Sequence, residues 1–237
     1  MAFKDEIKDW YKEASKSGAG KPRKVDKNYN KHFIKPCMMI SIIGQTGSGK
    51  SQALMEFLSR KNEAFYEITL FSGSTTDEPL YNFLKEHIEG VNMIDDADEL
   101  PELNDVENDK HEKLMIFDDV INLPKKQLLK LQKWFNSSRK KNYTCIVMAQ
   151  NYSDLPIQMR RNTMVYMLFR LNDMNSINQI LKNHNNNGDD KQAVKDAYFK
   201  ATEKPHNFFK LDLTEQGDKR YTHNFTDIIR IPKKDKE

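Results

Sequence analysis

The sequence predicts an α/β fold with a mostly parallel central sheet flanked by helices, and three observations carry that prediction. Short apolar runs, partly β-branched, alternate along the chain with segments whose apolar residues recur at helical spacing. The stretch 44–51, GQTGSGKS, matches G-x-x-x-x-G-K-[ST] in full and stands between one such run and one such helix. Further on, the apolar run 114–117 ends in two aspartates, as suits a strand that delivers acids to the ligand edge of a parallel sheet.

At 237 residues and 38% hydrophobic content, the chain can bury one large core, or one core with an appendage. The net charge of +3 selects no partner, so any polyanion must be recognised by local charge. Two cysteines without a C-x-x-C neighbour argue against a structural zinc and for buried free thiols in a reducing compartment. No signal peptide opens the chain and no apolar run approaches the ~18 residues of a membrane span, so the expectation is a soluble intracellular protein with no membrane partner.

In chain order, residues 1–35 form a basic arm, with ten Lys/Arg against five Asp/Glu. Within it, 4–15 has the pattern of a short polar helix and 17–22 breaks it. Residues 21–35 interleave basic side chains with Tyr29, His32 and Phe33, which fits either a solvated leader or an arm laid on nucleic acid or on a neighbouring subunit. Residues 36–172 form the core unit. A buried strand at 38–43 leads into the glycine-rich loop and a helix carrying Ala53, Leu54, Phe57 and Leu58 on one side. A strand at 65–71, a turn-rich connector at 72–79, a helix at 80–88 and a short strand at 91–94 follow. Residues 95–112 hold nine acids and one lysine and read as an exposed, solvated connection.

The strand ending at Asp118 comes next, then a helix at 125–139 closed by a basic turn. Another buried strand at 143–149 stops at Gln150. A short helix or turn at 155–162 and a strand at 163–170 complete the unit. The remaining segment, 173–237, is expected to pack on this core, with helices at 174–181 and 191–201, a closing hairpin at 208–213 and 220–225, and a disordered end.

The loop's chemistry follows from its residue types. Glycines at 44, 47 and 49 let the backbone adopt positive φ and approach an anion, so that the N–H groups of Gly44, Gln45, Thr46, Gly47, Ser48, Gly49, Lys50 and Ser51 can cradle phosphate at a helix N-terminus. Lys50 can reach the β- and γ-phosphates of ATP, and Ser51 can ligate Mg²⁺. Asp118, at a strand end, suits the outer sphere of that metal. Asp119 can orient or deprotonate the attacking water. Gln150, at the tip of the next strand, can sense the γ-phosphate. These features define a P-loop NTPase. A strand between the loop strand and the next loop element, with a polar tip after the acid pair, points to the branch with an extra central strand and a catalytic acid (the ASCE, RecA-like class).

The residues GQTGSGKS, LMIFDDV and SSRKKNYTCIVMAQNYSDLPIQMRRN together resemble the viral DNA-packaging ATPases of the FtsK–HerA superfamily, poxvirus type, a group that includes giant-virus and virophage members. The resemblance covers about residues 36–170. It implies an ATP-driven motor that translocates double-stranded DNA, without reading its sequence, into a capsid. It further implies a homo-oligomeric ring, capsid vertex proteins as partners, and a place in the virus factory of the host cytoplasm. Arg139 matches the arginine that family members insert into the next subunit's site, with Arg160 and Arg161 as rivals. Lys125, Lys126, Lys140, Lys141, Arg160 and Arg161 are candidates for contact with DNA phosphates. The second acid is Asp where related ATPases commonly have Glu, which shortens the reach to water by one methylene.

The competing readings are a nucleoside or nucleotide kinase, another P-loop ATPase of a mobile element, a GTPase switch and a non-hydrolysing capsid protein. The kinase scheme leaves Asp119 and Gln150 without work. A GTPase would want an N-K-x-D motif, which the sequence lacks. The intact loop and acid pair argue against a non-hydrolysing role.

Overall fold

The computed structural model describes residues 8, 10, 13, 16, 23–61, 64–73, 78–108, 110–184 and 188–233. Most of the helix expected at 4–15 and the break at 17–22 lie outside the described residues. The strands are β1 (Met39–Ile43), β2 (Ile68–Ser72), β3 (Val91–Ile94), β4 (Lys113–Asp118), β5 (Tyr143–Ala149), β6 (Val165–Leu168), β7 (Phe209–Asp212), β8 (Tyr221–His223) and β9 (Asp227–Ile228). The helices are α1 (Lys50–Lys61), α2 (Pro79–His87), α3 (Lys125–Ser137), α4 (Ile157–Asn162), α5 (Met174–His184) and α6 (Lys191–Ala201).

The strands form one sheet in the order β3-β2-β4-β5-β1-β6-β7-β8-β9. From β3 to β6 every pairing is parallel, and β7 to β9 continue it antiparallel. The strand β5 therefore separates the loop strand β1 from the acid-tipped β4, which is the extra central strand the motif order predicts. Parallel pairing also aligns the carboxyl ends: Ile43 lies opposite Ala149 and Leu168, and Ser72 opposite Asp118. Everything that follows those residues emerges at one edge.

Each inner strand is buried on both faces, which is why it reads as a continuous apolar run rather than an alternating one. Alternate residues serve two cores. Met39, Ile43, Phe117 and Val147 face Leu131, Trp134 and Phe135 of α3, with Met159, Ile177, Ile180 and Tyr198 alongside. Ile40, Ile42, Leu70 and Ile116 face Leu54 and Phe57 of α1 and Tyr81 and Leu84 of α2, and Phe208 and Phe225 from the closing hairpin reach this second core.

The acidic stretch 95–112 departs from the solvated connection expected of it. Ala97, Leu100 and Leu103 are buried in the α3-side core. Its backbone is tied to the same helix, where Trp134 Nε1 donates to the Pro101 carbonyl at 3.0 Å and Lys130 to that of Asp98 at 3.3 Å. Lys133 pairs with Glu102 at 3.1 Å. Composition concealed this because the few apolar residues sit among many acids, and a lysine-rich helix face neutralises part of the charge.

Smaller differences have local causes. The helix at 125 ends at Ser137, and a 3-10 turn, Ser138–Lys141, follows and closes on Asn142 at φ 63. Asparagine tolerates that left-handed geometry better than most residues. Residues 28–34 lie against the core, with His32 and Ile34 fully buried and the Asn28 amide bonded to the Lys61 carbonyl. At the other end Lys233 pairs with Asp189 at 2.6 Å, so the tail expected to be disordered is tied down as far as that residue. The β9 strand extends the expected hairpin to three strands.

Candidate active site

The loop 44–49 leaves β1 at the shared edge, and Gly44 N–H bonds the Ala149 carbonyl at 3.0 Å, fastening it to the end of β5. Gly47 and Gly49 have φ of 76° and 103°, the left-handed region that admits glycine without strain. Gly44, expected to share that geometry, instead answers to space. A Cβ there would stand 2.5 Å from Ser48 Oγ and 2.7 Å from Phe169 Cβ. A Cβ on Gly49 would meet His206 at 2.8 Å, so the segment before β7 closes over the loop.

Lys50 and Ser51 open α1. The Lys50 ammonium donates to the carbonyls of Gly44 at 2.7 Å and Gln45 at 3.2 Å. Burial lowers its pKa, against the pull of Asp118 and Asp119. Asp118 ends β4, and burial raises its pKa, opposed by a hydrogen bond from Tyr81 and by the Lys50 charge. Tyr81 donates to Asp118 Oδ2 at 2.6 Å. Asp119 turns away from the strand at φ 49, a conformation aspartate accepts more readily than most residues. Its carbonyl crowds Gly73 at the end of β2, where a Cβ would stand 2.3 Å from that oxygen.

Lys50, Ser51, Asp118, Asp119 and Gln150 line one cleft, with Thr46, Gly47, Ile121, Glu78 and Asp154. Gln150 is exposed at the tip of β5. The turn behind it is locked by Asp154, which accepts from the Asn151 backbone at 2.8 Å and its side-chain amide at 3.1 Å. Gln45 is joined to the chain beyond β6 by an Asn172 amide at 3.0 Å.

Arg139 does not reach this cleft. It sits in the 3-10 turn before β5, at the amino-terminal edge of the sheet, a strand length of roughly 20 Å from Gln150. Its side chain is exposed and its carbonyl accepts from Arg23 at 2.6 Å. Arg160 lies over the Tyr152 ring at 5.0 Å, with Nε buried and without a partner among the described residues. Arg161 is exposed on α4. Lys125, Lys126 and Lys140 are exposed, whereas Lys141 is half-buried and donates to the Val106 carbonyl.

The residues present fit a triphosphate with a magnesium ion. A loop too close to its neighbours for a Cβ at Gly44 or Gly49, the Lys50 ammonium folded against it, and a buried Ser48 hydroxyl without a partner among the described residues all suit phosphate oxygens. Among the described residues no cluster of three His, Cys, Asp or Glu side chains could hold a metal. Mg²⁺ keeps several waters and relies on phosphate and one or two protein groups. Ser51 and Asp118 are the groups at hand.

Sequence reasoning missed Tyr81, Gly73, Glu78, Asp154 and His206. Tyr81 carried only the mark of a core position on a helix, and a glycine directly after an apolar strand was the one cue to Gly73. Tertiary folding alone brings Glu78 to the cleft and His206 onto Gly49, and Asp154 arrives with the turn that follows Gln150.

No curated protein matches the chain. Among solved structures it is similar to the genome packaging NTPase B204 of Sulfolobus turreted icosahedral virus 2, in complex with AMPPCP. That match has 13% identity and a TM-score of 0.56, covering 81% of this chain and 98% of that one. The DNA-packaging ATPase B204 of Sulfolobus turreted icosahedral virus matches at 16% identity with the same coverage and a TM-score of 0.56. At such identities the likeness speaks to the fold, which is that of P-loop packaging ATPases. The model of the family described as Poxvirus A32 protein matches residues 25–205, spanning the loop, the acid pair and the Gln150 strand. By that match the chain belongs to the poxvirus A32 protein family, and it is a viral genome-packaging ATPase.

Proposed function

We propose that the cleft hydrolyses ATP within a homo-oligomeric ring that drives double-stranded DNA into a preformed capsid, and that Lys50, Ser51, Asp118, Asp119 and Gln150 carry the chemistry. The observation that supports this most is the meeting of those side chains in one cleft, though they lie far apart in sequence. The similar B204 structures contain AMPPCP and ATP-gammaS, which favours a nucleoside triphosphate in the corresponding cleft here.

In this reading the loop amides and Lys50 would hold the phosphates, and Ser51 and Asp118 would hold Mg²⁺. When bound, the ion neutralises charge on the β- and γ-phosphate oxygens. Asp119 accepts a proton from the attacking water, and Gln150 fixes that water's direction. Arg139 acts on the neighbouring subunit's site. Its position at the far sheet edge favours that reading, because it stands about a strand length from the cleft of its own chain. A trans arginine is worth roughly 10³–10⁵ in rate where measured. Each site is then incomplete until a heterologous interface closes, which makes a ring the working unit.

DNA is held by backbone charge. Lys125, Lys126, Lys140 and Arg161 are the exposed members of the basic set and the first to test. Binding should weaken with salt by about 0.9 in the logarithmic slope for each phosphate neutralised. Capsid vertex proteins complete the assembly, in the virus factory of the host cytoplasm.

The test is ATP turnover with and without linear duplex DNA. Turnover is expected to rise with DNA, to vanish in Lys50→Ala together with nucleotide binding, and to vanish in Asp119→Asn with binding intact. Loss of nucleotide binding in Asp119→Asn, or full turnover by it, overturns the assignment of the acid.

A further inference from the structure

We infer that Tyr81 is the positioning residue of the magnesium site, fixing the orientation of the Asp118 carboxylate. The inference rests on the Mg²⁺-ATP reading of the cleft and deepens it. Tyr81 stands in the first turns of α2, and only 2% of it is exposed. Its ring packs in the core between α1 and α2, beside Leu54, Phe57 and Leu84. Its hydroxyl leaves that core and donates to Asp118 Oδ2 at 2.6 Å, a length typical of a bond to a charged carboxylate. One phenol, from the start of α2, thus holds the carboxylate at the end of β4.

The geometry has a direct consequence. A buried carboxylate on a strand end has few anchors of its own, since the backbone there is committed to the sheet. With Oδ2 held by Tyr81, Asp118 is kept in one orientation before any ligand arrives. Outer groups of this kind commonly carry 10–100-fold in metal affinity. Packing alone requires the ring and not the oxygen, so the oxygen's contribution is separable.

The experiment measures equilibrium binding of a fluorescent, non-hydrolysable ATP analogue to the full chain, once with Mg²⁺ and once with EDTA. The ratio of the two affinities is the magnesium gain. Tyr81→Phe, which keeps the ring, is expected to leave the EDTA affinity unchanged and to cut the magnesium gain about tenfold. In an Asp118→Asn background, adding Tyr81→Phe is expected to cost nothing further. Tyr81→His keeps a donor on a ring and is expected to recover part of the gain, which covers the case in which the phenylalanine variant does not fold. A wild-type magnesium gain in Tyr81→Phe, or an equal loss with and without Mg²⁺, overturns the inference and leaves Tyr81 a packing residue. A wild-type protein that shows no magnesium gain, or a Lys50→Ala variant that binds as wild type, overturns the underlying reading instead.

Discussion

At the scale of single residues, the loop glycines do different jobs. Gly47 and Gly49 supply backbone geometry, whereas Gly44 supplies room beside Phe169 and Ser48. Gly44→Ala should therefore fail by collision. We expect a loss of about 1–3 kcal/mol in unfolding free energy, with nucleotide binding impaired as well, checked by urea unfolding and analogue titration. Lys210 makes a second residue-level case. It lies buried in β7, donating to the His32 carbonyl at 3.0 Å and that of Phe225 at 2.6 Å, and burial lowers its pKa from 10.5 to about 7. The unfolded chain therefore binds the extra proton between those values. The contribution of neutral Lys210 is fully present above the unfolded pKa and is lost as pH falls through about 7. Thermal unfolding from pH 7 to 9 should show wild type gaining stability relative to Lys210→Met, and a constant difference would remove Lys210 from that role.

At the scale of elements, the acidic strap across α3 is part of the fold. Leu103 is 4% exposed, and Leu103→Ala should cost about 2–4 kcal/mol, measurable by denaturant unfolding. The Lys133–Glu102 pair over the same helix is half-exposed on both sides, so breaking it with Glu102→Gln should change stability by less than about 1 kcal/mol. The contrast separates what the strap does by burying apolar side chains from what its charge does. A strap held mainly by charge would reverse the order of the two variants.

At the scale of the whole molecule, the prediction concerns sites completed between subunits. Protein carrying Arg139→Ala, mixed with protein carrying Asp119→Asn, should regain turnover that neither has alone, because each brings the half the other lacks. Assembly must first be verified by light scattering. No recovery in an assembled mixture takes Arg139 out of the trans role and moves the test to Arg160 and Arg161. Of these, Arg161 is exposed and Arg160 is stacked on Tyr152.

The division between what sequence determined and what folding decided follows the range of the forces involved. The phosphate loop, the acid pair and the Gln150 strand end were legible because each is a local pattern, in which residue types at fixed spacing must satisfy a strand, a turn or a helix start. An extra central strand was expected as well, and β5 between β1 and β4 is that strand, whereas the order of the outer strands was not read from the sequence. Tyr81 on Asp118, His206 over Gly49, Gly73 against Asp119 and the strap on Trp134 were not legible. Each is a contact between segments distant in the chain, and its participants look like ordinary core or surface residues until the sheet brings them together. Local periodicity records which side of an element is buried; only the packed structure records what it is buried against.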